Sequence, residues 1–291
     1  MNEVLLNPGN HAYAVRRFTE HFGIQPAAAD GERLVKILRA FAEIPYENIS
    51  KIIKLNRYFL TLDRLRLPEE VIEDFLCHHL GGTCFSLSFF LHCILQHSGF
   101  QTHIVMADMH RRPNVHCALI ALLQEALYLI DPGYLLTQPM RVHPDKTRVY
   151  RAPHSGVELK FDGESGRYQL YTFDRQAIKF RYSFFTDPTP LPEFAHHWLA
   201  SFYQSGMHGL CLTRRVQDQL VYLHNDYLQV AGLDGKNTRH VKTDYQQVVG
   251  QVFDIDPEWV ERAQEALADN KALERVHGFY QPKGRTDYEA R

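Results

Sequence analysis

Apolar residues recur with a helical period over the first hundred positions and in strand-like runs beyond them, and this change of period divides the chain. Asp30 suits an N-cap, and Leu34, Ile37, Leu38 and Phe41 follow at i, i+3, i+4 and i+7. Pro45 ends this predicted helix. A second starts near Pro68, with Val71, Ile72, Phe75 and Leu76 on one face, and the Gly81-Gly82 pair stops it. Thr83 is placed to cap a third helix from Cys84 to about His97, which Gly99 closes. The pattern switches at Phe100. Residues 102–106 read as a strand, and 116–123 and 126–130 as two more, nearly continuous in apolar content and hence buried. Short β-like runs continue through residues 147–179, broken at Asp162-Gly163 and Ser165-Gly166, which suit hairpin turns. Residues 100–185 therefore read as a mainly antiparallel sheet or small barrel.

A Pro-rich connector spans residues 187–192. The helix predicted after it carries Phe194, Trp198, Leu199 and Phe202 on one side. Residues 220–232 read as a hairpin turning at Asn225-Asp226, with a further strand within 238–243 and a closing helix over 257–268. The tail from Gln281 is polar and reads as mobile. No internal repeat stands out.

Composition narrows the function classes. With 45% of 291 residues hydrophobic, a disordered chain is excluded. The formal charge is −2, from 32 basic and 34 acidic residues, which argues against a nucleic-acid partner. No apolar run approaches the ~18 residues of a membrane span. The N-terminus lacks a basic stretch followed by an apolar core, so no signal peptide is read. Five cysteines, an odd number, do not make a disulfide framework, and the expected setting is a reducing cytoplasm with free thiols.

The tetrapeptide Gly81-Gly82-Thr83-Cys84 carries the most chemistry. Two glycines allow a tight turn and close backbone approach. The cysteine then falls in the first turn of a helix, where unpaired N–H groups and the helix dipole favour a thiolate. A buried structural cysteine is the alternative; Cys77, Cys93, Cys117 and Cys211 lack the glycine setting and take that structural reading. A nucleophilic cysteine needs a histidine base and a group to orient it. His116 opens one buried strand and Asp131 closes the next. A symmetric four-residue loop over residues 122–125 would set them directly opposite, with Cβ atoms about 4.5–5.5 Å apart. A two-residue slip would leave them diagonal neighbours on one face, and a one-residue slip would separate them. Zinc is a competing reading of Cys77 with His78 and His79, or of Cys93 with His97. Neither spacing fits a closed zinc module, and no metal is expected. No P-loop and no dinucleotide fingerprint is present.

These residues resemble the arylamine N-acetyltransferase family. Ile44-Pro45-Tyr46-Glu47-Asn48-Ile49 is similar to that family's Pro-Phe-Glu-Asn-Leu segment. Gly81 to Phe85 is similar to the stretch around its cysteine, Asn114 to Leu119 to its histidine strand, and Asp131-Pro132-Gly133-Tyr134 to its Asp-Val-Gly-Phe segment. The resemblance covers roughly residues 10–265 and rests on the joint spacing of Cys84, His116 and Asp131. It implies an α+β fold: an N-terminal helical bundle over residues 1–100 carrying the cysteine, a central antiparallel β-barrel over 101–192 carrying His and Asp, and a C-terminal α/β lid over 193–291.

The resemblance also implies two-step acyl transfer from acetyl-CoA or another acyl-CoA, through a Cys84 thioester, to an arylamine or hydrazine. Cys84, His116 and Asp131 would be catalytic, and Tyr46 and Tyr134 would line the acceptor pocket. The partners would be small molecules, with acyl-CoA as co-substrate and no permanent cofactor. Three positions depart from the family pattern. Leu80 stands where a basic residue precedes the glycines, which deprives Glu47 of that partner. Ser86 and Ser88 replace a Glu and an Asn. Two other functions share the Cys-His-Asp order or its pocket: a thiol hydrolase or amide synthase of the transglutaminase-like class, and a non-catalytic binder of small aromatic molecules.

Overall fold

In the computed structural model, residues 5–58, 61–110, 112–152, 154–232 and 235–276 are described. Helix α1 (Ala12–His21) buries Ala14, Val15 and Phe18. Helix α2 (Gly31–Phe41) begins where the Asp30 carboxylate accepts the Arg33 N–H at 2.8 Å, and it buries Leu34, Ile37, Leu38 and Phe41 as its spacing predicts. Strand β1 (Tyr46–Glu47) and helix α3 (Ile49–Arg57) follow, then α4 (Pro68–His78). Helix α4 ends sooner than predicted. His79 turns left-handed at φ 56° and caps it, so the Gly81-Gly82 pair lies outside the helix and has another task.

Helix α5 (Cys84–His97) is buried from Cys84 through Leu95, which makes it the central helix of the molecule. Thr83 occupies its N-cap position, but its side chain makes no capping bond. The helix lies across β2 (Gln101–Met109) and β3 (Arg112–Leu123). Alternation along β3 serves two cores. Cys117, Leu119 and Ala121 pack with α5, while Ala118 and Ile120 join Leu170, Tyr182 and Phe184 inside the barrel.

Strands β4 (Ala126–Ile130), β5 (Met140–Arg141), β6 (Arg148–Arg151), β7 (Gly156–Asp162), β8 (Arg167–Phe173) and β9 (Ile178–Phe184) complete the barrel. Its order is β5-β4-β3-β2-β9-β8-β7-β6, all antiparallel, and the edge strands β5 and β6 approach each other to nearly close it. The β3–β4 turn is tighter than predicted. Leu123 pairs with Ala126, leaving only Gln124 and Glu125 as the turn, both at positive φ (49° and 60°). His116 and Asp131 are therefore offset along the sheet rather than directly opposite. This is the two-residue slip that keeps them on one face.

The Pro-rich connector leads into α6 (Leu191–Ala200), whose Phe194 and Trp198 pack on Phe85 and Phe89 of α5. A second sheet runs β1-β10-β11-β12-β13, with β10 (Cys211–Val216), β11 (Gln219–His224), β12 (Tyr227–Gly232) and β13 (Gly235–His240). The β11–β12 hairpin turns at Asn225-Asp226 as predicted. Strand β13 starts and ends earlier than the predicted run. Helix α7 (Tyr245–Phe253) and helix α8 (Pro257–Val276) close the described fold, and α8 extends well past the predicted end to pack on α3. The polar tail from Gln281, read as mobile, lies outside the described residues. Among the described residues, no helix is long and apolar enough to cross a membrane.

Candidate active site

The glycine pair exists for a close crossing. A Cβ on Gly81 would overlap the Pro45 carbonyl, and one on Gly82 would overlap the Ser86 hydroxyl. The Glu47 N–H donates to the Gly82 carbonyl at 2.9 Å, so the Pro45–Glu47 segment is stitched to the residues that enter α5. Cys84 is thereby fixed at the first helical position, 8% exposed, at a helix start that the Thr83 side chain does not cap.

His116 and Asp131 meet beside it. His116 Nε2 donates to Asp131 Oδ2 at 2.8 Å, which leaves Nδ1 for Cys84. Gly133 sits at the junction. A Cβ there would lie 3.0 Å from His116 Cε1, 3.2 Å from Asp131 Oδ1 and 3.2 Å from Cys84 Cβ. All three predicted catalytic residues are thus brought together. Asp131 is fully buried and accepts two further bonds, from Tyr182 OH at 2.6 Å and from the Tyr134 N–H at 3.2 Å.

The charges follow from these contacts. Burial alone would lower His116, but Asp131 and Cys84 outweigh it and raise its pKa to about 10. The Cys84 thiol is pulled well below its ordinary value. The Cys117 thiol donates a hydrogen bond to it, and the His116 imidazolium and the buried Lys51 ammonium favour its anion, against the opposing effect of burial. Both shifts run in the direction that favours a thiolate beside an imidazolium. Lys51 is itself lowered to about 8 by burial; its Nζ donates to Ser201 Oγ at 2.6 Å and lies 4.8 Å from the centre of the Phe202 ring.

Sequence reasoning missed several of these roles. Tyr182 is one of 15 tyrosines and carries no spacing signal. Cys117, read as structural, is the hydrogen-bonding neighbour of Cys84. Glu47 keeps a cation nearby despite Leu80, though that cation is paired directly with Glu70 at 3.2 Å and Asp74 at 2.6 Å. Arg66, from the segment before α4, supplies that charge, and its Nε donates to the Gly81 carbonyl at 2.8 Å. Glu47 also accepts from the Ser50 N–H at 2.9 Å and hydroxyl at 2.6 Å. Ser86 donates to the Thr83 carbonyl at 3.1 Å, and Ser88 to the Cys117 carbonyl at 3.3 Å, tying α5 to β3.

Cys84 and His116 open onto a cavity of about 600 Å³ between the barrel and the second sheet, and Tyr46 and Tyr134 line it as expected. The Tyr134 ring packs edge-on to His116 at 5.6 Å between centroids. Among the described residues, no cluster of His, Cys, Asp and Glu is arranged to hold a metal ion.

A helical bundle, a nearly closed antiparallel barrel and a second sheet, with a cysteine and a carboxylate-held histidine lining the cavity between them, are the setting of an acyltransferase. Residues 32–261 match a family profile described as N-acetyltransferase, and the chain belongs to that family, the arylamine N-acetyltransferases. It is an acyltransferase. A Salmonella typhimurium arylamine N-acetyltransferase is 18% identical, with a TM-score of 0.70 over 87% of this chain and 98% of its own. The Mycobacterium abscessus enzyme is 16% identical, with a TM-score of 0.74 over 91% of this chain and 97% of its own. A Bacillus cereus arylamine N-acetyltransferase, described as having a unique Cys-His-Glu catalytic triad, is 20% identical, with a TM-score of 0.66 over 84% of this chain and 98% of its own. At these identities the likeness shows the fold. No curated protein sequence matches the chain.

Proposed function

We propose that this acyltransferase moves an acetyl or other acyl group from acyl-CoA to an aromatic amine or hydrazine through a thioester on Cys84. The observation that supports it most is the hydrogen bond between Cys84 and His116, itself held by Asp131, in the wall of a cavity lined by Tyr46 and Tyr134. The Cys84 thiolate attacks the donor carbonyl. The C–S bond to CoA breaks, and His116 gives its proton to the departing thiolate, leaving acyl-Cys84 and neutral imidazole. The amine nitrogen then attacks the acyl carbon, His116 takes a proton from that nitrogen, and the C–S bond to Cys84 breaks. The products are the amide and the original thiolate–imidazolium pair. Asp131 orients His116 and stabilises its charged form without exchanging protons.

In this reading residues 1–100 hold the nucleophile, residues 101–192 hold the base and its carboxylate, and residues 193–291 form the opposite wall of the cavity. Acyl-CoA is a co-substrate, no cofactor stays bound, and the reaction runs in a reducing cytoplasm. The test is intact-protein mass spectrometry after incubation with a panel of acyl-CoAs and no amine. A mass increment of one acyl group on the wild type, absent from Cys84→Ala, is the expected result. A panel that leaves the wild-type mass unchanged removes the reading.

A further inference from the structure

Tyr46 carries a hydroxyl that the family resemblance does not account for. It stands where the similar Pro-Phe-Glu-Asn-Leu segment has phenylalanine, so the ring is shared and the O–H belongs to this chain. Its backbone is held against the start of α5. Tyr46 bridges to Gly82 in parallel, the Glu47 N–H donates to the Gly82 carbonyl at 2.9 Å, and the Gly82 N–H donates to the Pro45 carbonyl at 3.4 Å. On its other flank Tyr46 pairs with Thr213 of β10. A residue fixed from both sides is preorganised, and its side chain lines the same cavity as Cys84 and His116.

The hydroxyl makes no hydrogen bond among the described residues. Of the neighbouring groups whose charge would reach it, Cys84 acts most strongly, ahead of Cys211 and Tyr134. Burial pushes the Cys211 thiol up to about 12 and raises the Tyr134 phenol, so both stay neutral near pH 7. Burial and then the Cys84 charge hold the Tyr46 phenol well above its ordinary value, so it remains an O–H donor. For Tyr134 the order differs: Arg181 and Asp131 act on its hydroxyl more strongly than Cys84 does. The hydrogen bonds of the Cys84 sulfur run to Cys117 and His116, and Tyr46 is not among them. A donor beside a nucleophile but not bonded to it is placed to meet the oxygen of a carbonyl joined to that nucleophile.

We propose that Tyr46 is a further catalytic residue, whose hydroxyl donates a hydrogen bond to the acyl oxygen as negative charge builds on it. The inference rests on the acyl transfer proposed above. When the Cys84 thiolate attacks the donor carbonyl, the new C–S bond forms and the carbonyl π pair moves onto oxygen, where the Tyr46 O–H meets it. Collapse re-forms the carbonyl and expels the CoA thiolate, which takes its proton from His116. The same oxygen is met again when the amine attacks acyl-Cys84. Tyr46 keeps its own proton throughout. Such a bond strengthens with the charge it receives, so it lowers the barrier more than it tightens binding.

The experiment compares wild type with Tyr46→Phe, which keeps the ring and removes only the hydroxyl. Single-turnover acylation of Cys84 is followed by intact-protein mass spectrometry with acetyl-CoA and with 4-nitrophenyl acetate, an activated ester that carries no CoA. Acylation falls roughly 10²–10³-fold in the variant with either donor, as it does when one oxyanion donor is deleted. Alkylation of Cys84 by iodoacetamide, a displacement at saturated carbon that forms no oxyanion, keeps its wild-type rate and shows that the site is still folded. The isotope-edited infrared carbonyl stretch of acetyl-Cys84 lies at lower frequency in the wild type than in the variant. Wild-type acylation rates in Tyr46→Phe, an unchanged carbonyl stretch, or acylation and alkylation that fall in parallel overturn the proposal. A wild type acylated by 4-nitrophenyl acetate but by no acyl-CoA defeats the acyl-CoA reading alone, and the ester then decides the role of Tyr46.

Discussion

His116 illustrates how much of this site is set by single contacts. Its raised pKa depends on Asp131, so Asp131→Asn is expected to lower it, reduce the thiolate fraction of Cys84, and cut single-turnover acylation at neutral pH by roughly 10²–10⁴ in a protein that stays folded. Raising the pH ionises the thiol directly and recovers part of that loss; a folded variant acylating at the wild-type rate between about pH 6 and 9 would remove Asp131 from the site. Lys51 makes the opposite bargain. Its pKa of about 8, below the ordinary 10.5, means that its charged form is worse off in the folded protein than in the unfolded chain. Lys51→Met is therefore expected to stabilise the fold by about 1–3 kcal/mol near pH 7, net of the lost Ser201 bonds. Because the unfolded chain holds the extra proton between about pH 8 and 10.5, wild-type stability recovers across that window and the gain disappears above it. The same variant should alkylate Cys84 more slowly at pH 6, having lost a neighbouring cation. Urea unfolding at two pH values and an iodoacetamide time course check both halves.

Among the elements, those with redundant local signals were legible and those set by a partner were not. Helix α2 shows its cap and its stripe in sequence, and α5 shows its start through the glycines. The β11–β12 hairpin announces its turn with Asn225-Asp226. The β3–β4 turn does not, because Gln124 and Glu125 adopt positive φ without a glycine or asparagine to signal it, and this shifts the register by two. Cys84, His116 and Asp131 still come together in space, since the slip keeps parity and leaves His116 and Asp131 on one face. Arg66 could not be found, because nothing in its local pattern says that it will lie by Gly81. Its removal is a sharp test. Arg66→Met removes the charge near buried Glu47 together with the ion pairs to Glu70 and Asp74 and the bond to the Gly81 carbonyl, and a loss of roughly 3–5 kcal/mol is expected in urea unfolding; the part restored by adding Glu47→Gln is the share owed to Glu47. A loss below about 1 kcal/mol would mean that Ser50 alone satisfies Glu47.

Across the whole molecule, the C-terminal sheet is bound in rather than hinged on. Strand β1 pairs with β10, and Asn48 donates to the carbonyls of Gly206 (3.0 Å) and Gly209 (2.8 Å) while accepting the Cys211 N–H at 2.8 Å. Asn48→Ala is therefore expected to cost about 2–4 kcal/mol, at roughly 1 kcal/mol per hydrogen bond plus the groups left unpaired. The loss should appear in one transition seen alike by far-UV circular dichroism and by tryptophan fluorescence, since the wall of the cavity and the segment beside the nucleophile share these bonds; two separated transitions would show that the sheet opens independently. The groups that tune Cys84 are also dispersed along the chain, from Lys51 through Cys117, His116 and Asp131 to Tyr182, with Ser201 holding Lys51. During synthesis Cys84 is thus made before His116, His116 before Asp131, and Asp131 before Tyr182, whose hydroxyl donates to it. A chain still on the ribosome carries an ordinary thiol, and the contacts that lower its pKa form only once the polypeptide is long enough to fold around it.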